Sequence, residues 1–348
     1  MEIKIDEAKI GGKNPCFTIA EAGANHDSSL EKAFKLIDAA KEAKADSIKF
    51  QTYKASKLAT RTAPKYWNDG KSDESQFEVF NKLDAFTKDQ WSQIFEYAQK
   101  KGITSFSTPF DEESVDLLYD LQVPAFKIAS ADITHTPLIK HVATKKLPIF
   151  ISTGMASDEE IDEALGVIED QGNHEIILMH CMTSYPTNPE DANLEMIRTL
   201  SKKYSKYIIG YSDHTLGITV PICSILYGSK ALEKHFTFDN NLEESPDHWL
   251  SLNTKTFAQM VEGIRQAEVS GGANKRLNFE AEVEAIKYAR RSIVSTRKIL
   301  KGKTITKEML AIKRPATGIY PKFLEKVIGS VASKDIEEDV PISWGDIN

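Results

Sequence analysis

The sequence predicts an α/β protein: a (β/α)8, or TIM, barrel over residues 1–270, a linker at 271–289 and a small β-rich domain at 290–348. Three observations carry this. Eight β-type runs alternate with amphipathic stretches, over roughly the 250 residues typical of such a barrel. Those runs end on polar side chains at their carboxyl ends, where a barrel gathers its chemistry. Beyond Arg290 the long period is lost, and short β-like pieces broken by Lys-Gly and Pro take over.

Taken in order, Glu2 to Ile5 alternates and is expected to form a hairpin with Lys9 to Gly11. The barrel runs follow at 16–23 (CFTIAEAG), 46–51, 103–108, 125–130, 147–153, 175–181, 207–212 and 231–236. Between them lie Leu30 to Ala43, DEESVDLLYDL, SDEEIDEALGVIED and NLEMIRTLSKKY, whose apolar residues recur at helical spacing behind Asp, Ser or Asn caps. Thr254 to Glu268 supplies the eighth helix. No dinucleotide glycine fingerprint supports an open doubly wound sheet instead. The longest interruption, Lys54 to Asp84, is polar, carries Tyr66, Trp67 and Asn68, and is expected to be an active-site loop.

Composition excludes several functions. Lys and Arg number 44 against 51 Asp and Glu, a net charge of −7, and no basic stripe suits a nucleic acid. An anionic ligand would therefore be met by individually placed cations. The three cysteines, Cys16, Cys181 and Cys223, are scattered in apolar segments, as expected of reduced thiols. Without a signal-peptide run or a membrane span, the expected location is the cytoplasm.

The strand ends supply Glu21, Asn25 and His26; Lys49 and Gln51; Ser107 and Thr108; Lys127, Ser130 and Asp132; Ser152 and Thr153; His180, Thr183 and Tyr185; Ser212, Asp213 and His214; and Lys234 with His235. Any one of these could simply bond a loop, but eight in concert point to a site. His214 and His235, on neighbouring strands, suit two ligands of a divalent ion that keeps open positions, or else a buried hydrogen-bonded pair. Glu21 and Asp247 are the nearest acids, able to ligate, accept a proton or hold hydroxyls. Lys49 and Lys127 are costly to bury unless a phosphate or carboxylate, or an internal ion pair, meets them.

These residues resemble the sialic acid (nonulosonate) synthases, which include N-acetylneuraminate, legionaminate and pseudaminate synthases. The resemblance rests on IAEAGANHDSSL, SIKFQTY, FSTPFDEESVDLL, FKIASADITHTPLI, ISTGMAS, MHCMTSYPT, GYSDHTLG, EKHFT and SPDHWLSL, in that order, and on ITKEMLAIKRPATGI, which resembles the family's antifreeze-like (SAF) domain. It implies a transferase that condenses phosphoenolpyruvate with an open-chain N-acetylmannosamine-type sugar to give N-acetylneuraminate or a close nonulosonate. By the same resemblance His214 and His235 hold Mn2+ or Mg2+. Lys49, Lys127, Ser130, Ser152 and Ser212 would cradle phosphoenolpyruvate, and Thr108 and Thr183 would also bind substrate. Glu21, Gln51, Asp132, Tyr185 and Asp247 would face the sugar or relay protons. A domain-swapped homodimer would lend Arg314 to the partner's site. Asp132 stands where many members have Glu, Thr183 where some have Asn, and Ala316 where a glycine is common. The alternatives are legionaminate or pseudaminate synthesis from a 2,4-diacetamido-6-deoxy hexose, towards which DESQ (73–76) and ESPDH lean, a synthase acting on a phosphosugar, and a non-catalytic sugar- or ice-binding protein.

Overall fold

The computed structural model describes residues 1–67, 74–271 and 280–348, in two compact units, Met1–Gly272 and Ala273–Asn348. In the first unit β1 (Glu2–Ile5) and β2 (Ala8–Gly11) form the expected antiparallel hairpin. Ile3, Ile5 and Ile10 are buried, and Gly11 approaches Ile208 too closely for any larger residue. The hairpin thus closes the amino end of the barrel.

Eight parallel strands close the barrel: β3 (Phe17–Gly23), β4 (Ser47–Thr52), β5 (Thr104–Pro109), β6 (Phe126–Ile128), β7 (Ile149–Ser152), β8 (Ile176–Cys181), β9 (Ile208–Asp213) and β10 (Ala231–His235), with β10 paired back onto β3. β3 is buried along its whole length, as a strand covered by helices outside and core inside must be. Phe17, Phe106 and Phe150 stack inside the barrel, at 5.2 and 6.3 Å between ring centres, and close its floor. Between Glu21 and Gly23 the pairing with β4 slips by one residue, and Gly23 takes the positive φ of 52° that this irregularity needs.

The helices are α1 (Leu30–Glu42) behind Ser29, then α2 (Ala55–Leu58), α3 (Gln76–Leu83), α4 (Lys88–Lys101), α5 (Glu112–Asp120), α6 (Thr136–Thr144), α7 (Asp158–Asp170), α8 (Glu195–Lys203), α9 (Thr219–Leu226) and α10 (Thr254–Ser270) behind Asn253, of which α1, α5, α7, α8 and α10 are those the sequence predicts. Segment 54–84, expected as loop, is partly helical through α2 and α3. Ser75 and Glu78 bond each other's backbone in a capping box, a signal present in the sequence as S-x-x-E. Asn68 and Asp73 lie outside the described residues, as does part of the expected linker, 272–279. No helix among the described residues is long and apolar enough to cross a membrane.

The second unit is described by itself. It carries α11 (Val283–Ala289), then β11 (Ser292–Ser295) antiparallel to β12 (Leu310–Lys313), around a separate core of Ile293, Ile299, Ile305, Ile319, Val327, Ile336 and Ile342.

Candidate active site

Strand geometry decides which polar residues meet. Side chains alternate between the two faces of a strand, so of each polar cluster only one parity enters the barrel. Glu21, Lys49, Gln51, Thr108, Lys127, Ser152, Ser212 and His235 all face in, and with Ser130, Asp132, Thr183, Tyr185, His214 and Asp247 they line one cavity of about 350 Å³ at the carboxyl end. Arg314 is exposed in the second unit.

The opposite parity goes elsewhere. Asp213 and Lys234, expected on the rim, form a fully buried ion pair at 2.5 Å behind the wall. Tyr211 donates to Asp213 at 2.8 Å, and Lys234 also donates to the Thr215 carbonyl. His180 Nε2 bonds the Ala192 carbonyl at 2.9 Å, while Thr52 takes up Ser107 at 2.7 Å and Thr153 donates to the Met179 carbonyl. His26 is wedged against Phe86 at 4.5 Å, and burial holds its imidazole down near about 4. Asn25 Nδ2 donates to the Phe236 carbonyl.

At the base of the cavity, four buried charges balance. Lys49 Nζ lies 2.6 Å from Glu21 and 3.8 Å from Glu233, and Lys127 lies 3.5 Å from Glu233. Lys49 also donates to Thr108 Oγ1 at 2.7 Å, Gln51 to Glu21 at 3.0 Å and Ser212 to Glu233 at 2.9 Å. The internal ion pairs therefore do form, and the lysines still line the cavity. Burial pushes the Glu21 carboxyl up to about 7 against the pull of Lys49. Burial opposes ionisation at Glu233 too, but Lys127 and Lys49 hold it down at about 2. Lys127 is depressed by burial.

Glu233 is the residue that strand-end reading misses. It stands two positions before His235, hence on the same face, and that parity was its signal. Cys181 is a second: its thiol lines the cavity 3.8 Å from His214 Nδ1.

On one side of this base, Gly154 N donates to Ser130 Oγ at 3.0 Å, and the Ser152 and Thr183 hydroxyls are buried without a partner. On the other, the His214 and His235 rings lie 5.4 Å apart, with Tyr185 4.3 Å from His214. His214 Nδ1 donates to the Met182 carbonyl at 2.8 Å, which fixes the tautomer and leaves Nε2 as the acceptor nitrogen. His235 Nδ1 is buried without a hydrogen-bond partner, 3.6 Å from Asp247, and burial and His214 keep the ring well below the usual imidazole range. Two imidazoles so prepared fit a divalent ion. Among the described residues no three His, Cys, Asp or Glu side chains converge on one, so the pair would leave most coordination positions open. Asp132 and Asp247, both pushed up to about 6 by burial, complete this side. Above it rises an apolar wall of Leu58, Tyr66, Trp67, Phe80, Phe110, Trp249 and Leu250.

Residues 36–276 match the NeuB family and residues 290–348 the SAF domain. The chain belongs to the NeuB family. This NeuB-family chain is 37% identical to an N,N'-diacetyllegionaminic acid synthase of Legionella pneumophila, with 96% of this chain and 95% of the relative aligned. It is 36% identical to a pseudaminic acid synthase of Campylobacter jejuni, over 95% of this chain and 96% of the relative. The crystal structure of an N-acetylneuraminic acid (sialic acid) synthetase from Leptospira borgpetersenii, in complex with citrate, superposes with a TM-score of 0.72 at 36% identity, covering 82% of this chain and 95% of that one. The family expected from the motifs is therefore the family found. Its NeuB region spans most of the barrel unit and every cavity residue named above except Glu21, and its SAF region the second unit from residue 290.

Proposed function

We propose that this chain joins phosphoenolpyruvate to the open-chain aldehyde of a 2-acetamido mannose-type sugar, releasing phosphate and yielding N-acetylneuraminate or a close nonulosonate. The observation that carries this reading is the division of one cavity into two chemistries. One half offers two lysines and unpartnered hydroxyls to an anion. The other offers an imidazole pair, carboxyls and an amide to an uncharged polyol.

In this reading Lys49, Lys127, Ser130, Ser152, Thr183 and Ser212 hold the phosphate and carboxylate of phosphoenolpyruvate. Its methylene carbon forms the new bond to the aldehyde carbon. Water adds at the enol carbon, the carbonyl oxygen gains a proton, and phosphate departs. A divalent ion, manganese or magnesium, bound by His214 and His235 would supply Lewis-acid polarisation of the aldehyde. Gln51, Tyr185 and Asp247 orient the sugar. Glu21 and Asp132, whose carboxyls are raised towards neutrality, are suited to hold or move a proton. Arg314 is assigned to the site of a second copy in a domain-swapped dimer. The compartment assigned is the cytoplasm.

A second reading, a 2,4-diacetamido-6-deoxy sugar, is favoured by the apolar wall, which suits a methyl and an acetyl group better than hydroxyls. The test is phosphate release from phosphoenolpyruvate, with N-acetylmannosamine or the 2,4-diacetamido-6-deoxy sugars as acceptor. Release should require one of these acceptors and be abolished by a chelator. Folded His214→Ala and His235→Ala proteins that keep full, chelator-sensitive turnover would sink the metal assignment.

A further inference from the structure

Two residues of the motifs have no task in this chemistry, Asp27 of ANHDSS and His248 of SPDHWL, and they meet outside the cavity. His248 is wholly buried, and its Nε2 lies 3.1 Å from both carboxylate oxygens of Asp27, whose side chain is 2% exposed. His248 Nδ1 lies 2.8 Å from Thr237 Oγ1. Asp27 also pairs with Lys32 at 2.7 Å, and Lys32 with Glu244 at 3.4 Å. Although burial opposes it, the bonds from His248 and Lys32 hold the Asp27 carboxyl below the usual range.

These contacts tie the turn after β3 to the loop between β10 and α10, more than 200 residues along the chain. That loop puts Pro246, Asp247, Trp249 and Leu250 into the cavity wall. Consecutive residues Asp247 and His248 divide the work: one faces the cavity and the other anchors the loop. Backbone strain lies at the same place. Asp27 and Ser28 have φ of 49° and 57°, a left-handed conformation that costs non-glycine residues free energy and persists only where surrounding contacts hold it.

We infer that Asp27 and His248 form a clasp that positions Asp247 and Trp249 against the sugar. Neither lines the cavity, so both are positioning residues, and the inference rests on the reading that Asp247 faces the sugar. The residues assigned to phosphoenolpyruvate stand on β4, β6, β7 and β9 or just after β6 and β8, and neither Asp27 nor His248 bonds any of them.

The test uses the full chain with Asp27→Ala, Asp27→Asn and His248→Gln. Severing the clasp should raise the sugar KM by about tenfold to a hundredfold, as expected when a binding group shifts by about 1 Å, and leave the phosphoenolpyruvate KM within about twofold. Asp27→Asn, which keeps the shape and one acceptor oxygen, should recover most of the loss. Amide hydrogen exchange over 238–253 should accelerate in Asp27→Ala and His248→Gln while the barrel strands keep their protection. Either variant suffices if the other does not fold. Equal changes in both KM values, or unchanged exchange in that loop, overturn the clasp. A wild-type chain that releases no phosphate with any acceptor defeats the functional reading instead, and the exchange result still decides the clasp.

Discussion

Gly154, just past β7, offers the sharpest test of the anion side, because its substitution acts through space alone. Its φ is not positive, so alanine meets no backbone penalty. A Cβ there would lie 2.3 Å from Thr183 Oγ1 and 2.8 Å from Ser130 Oγ, where ordinary contact begins near 3.4 Å. The Thr183 hydroxyl must therefore retreat by about 1 Å, and the Ser130 hydroxyl by about half that. Misplacing binding groups by about 1 Å costs on the order of 100-fold, or about 3 kcal/mol, in kcat/KM. Overpacking should also lower stability by about 1–3 kcal/mol, a Tm fall of a few degrees for a chain of this size. Gly154→Ala is thus expected to remain folded but to raise the phosphoenolpyruvate KM far more than the sugar KM, measured by phosphate release with each substrate varied in turn. Adding Thr183→Ala makes room for the methyl, so the double variant should lose less than the two single losses combined. Folded Gly154→Ala with a phosphoenolpyruvate KM within about twofold of wild type would refute the placement of the anion against Ser130 and Thr183.

Further outcomes follow from the charges. Glu233→Gln leaves Lys49 and Lys127 with one carboxylate between them and should destabilise the free protein by about 3–5 kcal/mol. Phosphoenolpyruvate should then raise its Tm more than it raises the wild type's, and an equal or smaller rise in scanning fluorimetry rejects the shared-anion picture. Asp132→Asn tests burial. The Asp132 carboxyl is raised by burial from 3.8 to about 6 in the fold, so its contribution to stability is full below about pH 4 and is lost as pH rises through 6. Relative to the Asn variant, the wild type should lose about 2 kcal/mol between pH 4 and pH 7 in urea denaturation, whereas a pH-independent difference contradicts the assignment. Arg314→Ala should raise the sugar KM, and an unchanged KM and kcat would remove Arg314 from the site.

The barrel and the location of its site were legible because both follow from periodicities: strands alternating with 3.6-residue helical patterns, and polar residues gathered at one end. What the strand-end reading lost was the face. Treating Lys234 and His235 as equivalent neighbours put a structural lysine on the rim and left out Glu233, although a period of two separates them. Asn25, His26 and His180 were misplaced because their partners, the Phe236 carbonyl, Phe86 and the Ala192 carbonyl, come from distant or irregular backbone that no local pattern shows. The apolar wall was only partly visible. Tyr66 and Trp67 stood out in a polar segment, but Leu58, Phe110 and Leu250 join them only through tertiary packing.

The buried pair of Asp213 and Lys234 bears on how the tripeptides SDH and EKH are to be understood. Each writes two messages in alternate letters. The outer letters, Ser212 and His214 in one and Glu233 and His235 in the other, face the cavity, while the middle letters bolt the last two staves of the barrel to each other. A chain altered at Asp213 or Lys234 could lose all turnover through splayed staves without having lost any group that touches a substrate. An inventory of inactive variants taken along these motifs would then mix carpentry with chemistry, and only the parity of the position tells them apart.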